Sequence, residues 1–287
     1  MSRRQKVNLE DLLNNLNVRL IYDRLKNISL NMFVWEGLPD GMRPEFIENL
    51  LYNYGSALFF KDEKMDMFLC LNAMPSGGQN VYGEFLEYRG MGIGFYDSAS
   101  YKQHETCVLV RNNAIQTNTR EYILMYAARI AEIERTLDVN VKAQKTPLII
   151  ACDDKDILSL KNVYKQIDGN MPAIWVDKNL NLGAIQVLNT NAPFICDKLA
   201  DYKHDVWADA MTFLGIANAN TDKRERLVTD EVNANNAFVD MNAAYMLQAR
   251  EMACEEINRL FGLSVSVEVR KTQTEEEGAN VGGVQPS

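Results

Sequence analysis

The spacing of apolar residues changes several times along the chain, and each change predicts a different kind of element. From Leu9 to about residue 55 the spacing is helical: Leu12, Leu16 and Leu20 share one side of a first helix, and Phe46, Ile47 and Leu50 mark a second that follows Pro44. Trp35-Glu-Gly-Leu-Pro39 is expected to be the turn between them. Between Ala57 and Arg111 the pattern shifts to short extended runs, Ala57–Phe60, Met67–Leu71, Gly92–Tyr96 and Thr106–Arg111, broken by Pro75-Ser-Gly-Gly. This predicts a small sheet or partial barrel.

A long helix is then expected after Asn118, where Asn118-x-x-Glu121 has capping-box spacing and Ile123, Ala127, Ile130, Glu134, Leu137 and Val141 step by three or four. Carried to Ala143, it would be about 37 Å long at the usual rise, and Pro147 stops it. Residues 147–189 read as a compact αβ insertion, with strands at Leu148–Ala151 and Ala173–Val176 around a helix near Ile157–Ile167. A second long helix starts near Pro193, carries Leu199, Tyr202, Val206, Ala210 and Phe213 on one side, and ends at Gly215. The Asn-rich stretch after the following charged segment, Val228–Tyr245, predicts a mobile loop. Tyr245–Phe261 then forms a helix stopped by Gly262, and Leu263–Arg270 alternates as a strand that returns to the early sheet. Residues 271–287 hold too little apolar surface to order themselves and read as a tail.

The fold class expected is α+β, mainly helical. With 287 residues of which 47% are hydrophobic, the chain can bury a large core. Lys and Arg total 30 against 39 Asp and Glu, a net charge of -9, which argues against tight wrapping of nucleic acid but not against loosely surrounding it. Five cysteines without a CxxC suit free buried thiols. No apolar run is long enough for a membrane span and the start has no signal-peptide pattern, so the expectation is a soluble protein made in the cytoplasm with no membrane partner.

Chemistry-bearing motifs are sparse. His104 and His204 sit in no metal-binding spacing, no GxxxxGK[ST] occurs, and Gly90-Met-Gly-Ile-Gly94 precedes an extended run rather than a helix, so it reads as a hairpin or bulge. Asp153-Asp-Lys-Asp156 reads as helix capping, and Glu255 and Glu256 diverge on a helix. No catalytic residue, metal site or cofactor is expected. The constellation that stands out is Asp197, Asp201, Asp205 and Asp209, four carboxylates at successive i,i+4 positions with Lys198 and Lys203 among them. Like charges at that spacing cost a few tenths of a kcal/mol per pair, so the face needs water or cations. It is either a solvated helix side or, around a ring axis, an acidic channel wall that keeps phosphate contacts few.

The stretch Phe213-Leu-Gly-Ile-Ala-Asn-Ala-Asn-Thr-Asp-Lys-Arg-Glu-Arg-Leu-Val-Thr-Asp-Glu-Val232 joins an apolar helix end to small polar residues and then to dense charge. With Ala143-Gln-Lys-Thr-Pro147 and Ser159-Leu-Lys-Asn-Val-Tyr164, it resembles the portal protein (head-tail connector, or upper collar protein) of small short-tailed phages of the phi-twenty-nine group, over roughly residues 30–270. The resemblance implies a portal fold in which 1–118 is a wing with a small sheet, 119–146 a stem helix, 147–189 a narrow-end clip, 190–227 a second stem helix with its charged segment, 228–245 a channel loop, and 246–270 a return to the wide end. It implies a homododecamer in the virion at one capsid vertex, through which double-stranded DNA is packaged, retained and ejected. Twelve helices about 10 Å apart would enclose a bore of roughly 28 Å, enough for a duplex.

By the same resemblance the partners are the major capsid and scaffolding proteins, the packaging ATPase, a lower collar or tail protein and, in some relatives, a packaging RNA. Lys198 and Lys203 match the family's channel lysines; Asn233, Asn235, Asn236 and Asp240 fall in its channel loop. Arg3, Arg4 and Lys6 are all that remains of the basic arm that touches RNA in relatives. Two other readings stay open from the sequence: a collar or tail adaptor that never grips DNA, and a nucleic-acid-processing enzyme.

Overall fold

The computed structural model describes residues 9–92, 96–144, 148–150, 185–187, 193–217 and 229–270. The chain divides into two compact units, one made of Met1–Ala131 with His204–Ser287 and the other of Glu132–Lys203. The division falls inside the two long helices, not at their ends.

The first unit opens with α1 (Leu9–Leu30), β1 (Phe33–Glu36) and α2 (Pro44–Tyr54). Pro44 occupies the first turn of α2, where its missing N–H costs nothing. The buried side of α2 is Ile47, Glu48, Leu51 and Tyr52, while Phe46 is exposed, so the inward stripe is rotated from the expected one. Leu16 and Leu20 of α1 are also exposed rather than packed. Trp35, expected in a turn, is buried in β1, and the turn begins only at Gly37.

A five-stranded antiparallel sheet follows: β2 (Ser56–Asp62), β3 (Met67–Pro75), β4 (Glu87–Met91), β5 (Asp97–Lys102) and β6 (Cys107–Arg111), in the order β5-β4-β3-β2-β6. The edge strands β5 and β6 are joined by only four residues, and Gln103 bridges Cys107, so the sheet must curl until its edges meet at one end. That is the partial barrel expected. Its inner face closes over Leu58, Phe60, Tyr88, Cys107 and Leu109, with Leu69, Leu71 and Tyr101 against them. The outer-face Phe59 packs against Phe68 and Phe261 at ring distances of 5.7 and 5.6 Å.

Of the strand expected at Gly92–Tyr96, Gly92 and Tyr96 lie outside any strand, between the end of β4 and the start of β5, and residues 93–95 lie outside the described residues. The register of β4 and β5 shifts between Arg89 and Met91, which is the bulge expected at Gly90. A side chain could not replace Gly90, since a Cβ there would lie 2.6 Å from the Phe60 ring.

Helix α3 (Arg120–Gln144) has the 25 residues expected, and the Asn118 carboxamide accepts from the Glu121 N–H at 3.3 Å as a cap should. Its early stripe, Ile123, Ala127 and Ile130, is buried. In the second unit, β7 (Leu148–Ile150) pairs antiparallel with β8 (Ile185–Val187). β8 was not foreseen, and the strand expected at Ala173–Val176 and the helix near Ile157–Ile167 lie outside the described residues. Helix α4 (Cys196–Phe213) starts three residues after Pro193.

The main correction concerns the Asn-rich stretch. Thr229–Tyr245 is not a loop but the first half of α5 (Thr229–Phe261), a helix of 33 residues. Asn lowers helix propensity by only tenths of a kcal/mol per residue, and tertiary contacts outweigh it here. Val239 is buried, the Asn242 carboxamide donates to Thr212 O at 2.9 Å, and Ala243 lies against Gly215. Gly262 ends α5 with φ +65°, as expected. The last strand, β9 (Ser266–Val269), does return to the start of the chain, but it pairs with β1 in a separate two-stranded sheet and not with the five-stranded one.

At the centre of the first unit, Arg250 of α5 and Glu48 of α2 form an ion pair at 2.8 Å with 2% and 3% exposure. All five guanidinium donors are used: Nε and Nη2 on the Glu48 carboxylate, Nη1 on Asn112 O and Met246 O, and Nη2 also on Asn112 Oδ1. Trp35 Nε1 donates to the same carboxylate at 2.9 Å, and the guanidinium lies 4.1 Å over the Phe33 ring. Removing one partner strands a buried charge, so Arg250→Ala should lower unfolding free energy by about 3–5 kcal/mol. Urea denaturation checks this, and the apolar pair Glu48→Leu with Arg250→Met should recover most of the loss.

Buried Cys107 and Cys254 give a second expectation. Burial first, then nearby Glu256 for Cys107 and Glu251 for Cys254, push both thiols up to about 12, so they stay protonated at pH 8. Neither should react with a thiol reagent at that pH until the protein is unfolded, as peptide mapping of the labelled sites would show.

Candidate functional site

The residues with the strongest sequence signal lie on α4, and its two ends are held by different devices. At the start, one side chain of α3 brackets the incoming chain: Asn140 Nδ2 donates to Pro193 O at 3.0 Å, and its Oδ1 accepts from Ile195 N and Cys196 Sγ, both at 3.2 Å. This satisfies an otherwise orphaned amide at the helix N-terminus. At the other end, Phe213 stacks on Tyr122 of α3 at 4.5 Å, and Gly215 turns the chain at φ +72°. A Cβ on Gly215 would fall 2.5 Å from Ala243 N, so the glycine also lets α4 close on α5.

Between these anchors α4 buries Val206, Ala210 and Met211, and the Arg24 guanidinium of α1 covers the Trp207 ring at 4.4 Å. Asp197, Asp201, Asp205 and Asp209 are all exposed. Asp209 is felt by Tyr126 of α3, whose phenol is raised first by its own burial and then by that carboxylate. Among the described residues no group of His, Cys, Asp or Glu is arranged to hold a metal ion, so the four aspartates form a row of separate charges. Water and mobile counterions are what can neutralise them.

The two lysines differ. Lys198 is exposed, whereas Lys203 is half-buried and lies 3.6 Å from Glu134 of α3. With both partners about one-third exposed, that pair stabilises by less than about 1 kcal/mol. Its consequence is directional: Lys203 is drawn toward α3. In the sequence Glu134 is one step of the helical stripe of α3, with nothing to mark the partnership.

Asp240 is exposed on α5. Asn233, Asn235 and Asn236 belong to the same helix, so the four are not gathered on a loop, and the side chains of the three asparagines lie outside the described residues. Arg3, Arg4 and Lys6, like Asp153–Asp156, also lie outside them. His104 and His204 are both exposed, and His104 Nδ1 contacts Glu256 of α5. No described helix is long and apolar enough to cross a membrane.

The fold is similar to a solved structure from the portal and tail of a bacteriophage. The likeness to a chain in the portal and tail of native bacteriophage P68 has a TM-score of 0.50 at 15% identity, covering 98% of this chain and 100% of that one, and shows a shared portal-type fold. Looser likenesses join it to a chain of the virion of a native gene transfer agent particle (TM-score 0.42, 9% identity, 94% and 86% covered) and to one of the neck of an empty particle of that agent (0.41, 9%, 95% and 87%). At those scores they add nothing to the argument.

The family description Phage Connector (GP10) matches residues 3–274, nearly the whole length, and the chain belongs to that family. Its function is that of a phage portal, the head-tail connector of the virion.

The acidic row yields a measurable expectation. Asp201→Asn combined with Asp205→Asn breaks all three i,i+4 repulsions and should raise stability by about 1 kcal/mol at low salt. A fall in the urea midpoint instead would mean that the carboxylates engage a cation.

Proposed function

We propose that this connector works as a dodecameric ring of the phi-twenty-nine group type, set at one capsid vertex, with double-stranded DNA passing through its centre. In this reading α3 and α4 are the stem that walls the channel, residues 147–189 form the narrow end where the packaging ATPase docks, and the early sheet belongs to the wide end among capsid and scaffolding proteins. A lower collar or tail protein takes the ATPase's place once packaging ends. Arg3, Arg4 and Lys6 supply the contact to a packaging RNA where one is used.

The observation that carries the reading is the exposed row Asp197, Asp201, Asp205 and Asp209 on α4, in a chain whose family match spans residues 3–274. Repeated around a ring, that row gives an acidic bore. DNA repelled by its wall makes few phosphate contacts, and each contact avoided removes counterion-release free energy that would hold the duplex in place. Lys198 interrupts the repulsion with one exposed cation per subunit, and Asn233, Asn235, Asn236 and Asp240 bring α5 to the DNA as a helix. The protein contributes no chemistry of its own; ATP turnover belongs to the motor.

A collar that holds the tail without gripping DNA is the second reading. The finding that favours it is the helical state of Thr229–Tyr245, which removes the mobile loop a clamp would use.

Two measurements test the proposal. Negative-stain images of purified protein should show a ring with twelvefold symmetry and a duplex-sized hole, and a stable monomer at micromolar concentration would overturn it. Lys198→Ala should leave rings and DNA packaging intact but lower the nuclease-protected DNA that remains in heads after the ATPase is removed. Full retention with that variant would favour the collar.

A further inference from the structure

We propose that one ordered water binds in the cavity beside the Arg250–Glu48 pair and joins α1 to that network. The cavity lies where the end of α1 meets α2, α5 and the connection between β6 and α3, and every residue that lines it is 9% exposed or less. Ser29, Glu48, Asn112, Thr119 and Arg250 give it a polar wall. Inside, the centre of a water molecule has about 10 Å³ in which to move. That is room for one molecule, and a hole of this size takes up water when its wall is polar but stays dry when it is not. The site is a property of a single subunit and does not depend on the ring.

The wall leaves unused hydrogen-bonding capacity on three groups. Thr136 of α3 returns its hydroxyl to the carbonyl four residues back at 2.9 Å, as serine and threonine often do in helices. Ser29 does not: its carbonyl accepts from Met32 N, but its hydroxyl has no partner among the described residues. Thr119 Oγ1 accepts from Asn112 Nδ2, while no described acceptor takes its own proton. Glu48 Oε1 accepts from both Trp35 Nε1 and Arg250 Nε, whereas Oε2 accepts only from Arg250 Nη2, one bond short of its capacity. Two hydroxyl donors and one carboxylate acceptor are the complement of a water that accepts twice and donates once. Three bonds is the usual number for a buried water, and polar groups this deep are rarely left unsatisfied.

The bridge gives α1 a tie it otherwise lacks. Glu48 and Thr119 are bonded to Arg250 directly or through Asn112, but no direct hydrogen bond among the described residues links Ser29 to any of them. A bridging water is nearly as favourable as a direct bond, so it fastens the last turn of α1 to the same centre. Arg24 precedes Ser29 by about one and a half helical turns and covers the Trp207 ring of α4 at 4.4 Å. The buried network therefore reaches α4 by way of α1 as well as by way of α3.

Ser29→Ala in the full-length chain separates a wet joint from a dry one. Alanine is the better helix former, and a hydroxyl bonded to nothing is lost without cost, so over a dry cavity the variant should unfold at the same or a higher urea concentration. With the water bound, removing one of its three partners should lower the urea midpoint. The second measurement is a density map of the unsubstituted protein at a resolution that shows other buried waters. A peak within hydrogen-bonding distance of both Ser29 Oγ and Thr119 Oγ1 is expected, and it should weaken or vanish in Ser29→Ala. An unchanged or raised midpoint would overturn the bridge, and so would an empty cavity in such a map. A peak held by Thr119 and Glu48 but out of reach of Ser29 would leave a water there and overturn its role in joining α1.

Discussion

Five hydrogen-bond donors on one side chain organise the first unit. The Arg250 guanidinium is almost wholly out of water, and its five donors meet oxygens from three parts of the sequence: Glu48 on α2, Asn112 between β6 and α3, and Met246 one turn back on α5. Asn112 passes the connection on, because its own Nδ2 donates to Thr117 O and Thr119 Oγ1 just ahead of α3. Trp35 anchors β1, and through it β9, to the same carboxylate. A buried ion pair is a poor source of net stability compared with apolar packing of the same volume, but it tolerates only one arrangement of its partners. Its value here is therefore angular: it fixes where α5 emerges and where α3 begins.

That constraint matters because the candidate channel helix has little else to orient it. α4 is short of buried apolar residues, and its outward side is four carboxylates that prefer water to any partner. Beyond Val206, Ala210, Met211 and the Arg24–Trp207 contact, its placement depends on contacts near its ends, Asn140 at the start and the Phe213–Gly215 packing against Tyr122 and Ala243 at the finish. Tyr122 follows Thr119 by less than one helical turn, so the network around Arg250 reaches α4 through the first turn of α3. Acidic residues can then line an exposed face without being asked to pack, and their mutual repulsion is borne by the anchors.

Local chemistry made part of this legible in the sequence. Asn118 capping α3, Pro44 opening α2, Gly262 closing α5 and the apolar runs of β2, β3 and β6 each announce themselves within a few residues. β1 did not, because a four-residue strand whose only partner lies more than two hundred residues away leaves no local pattern. Nothing near Glu48 or Arg250 in the sequence marks either as buried, since burial of a charge is decided by a partner that sequence spacing cannot reveal. Thr229–Tyr245 misled for the same reason in reverse: its asparagines weaken a helix slightly, while Val239, Asn242 and Ala243 secure it through contacts with elements distant in sequence.

The candidate site shows the same division between local and distant causes. The i,i+4 spacing of the aspartates was enough to place all four on one side of a helix, and their exposure follows from the cost of burying any of them unpaired. Lys203 could not be read that way. Its sequence neighbours are acidic, yet the carboxylate beside it in space belongs to Glu134 on another helix, and the pair leaves Lys198 as the more accessible of the two cations on α4. A ring built from this chain would therefore present a weaker basic feature than a count of its lysines suggests. Any resistance of the bore to DNA moving backward would then rest on Lys198, one weak cation per subunit, because attraction strong enough to stop DNA outright would also hinder it entering.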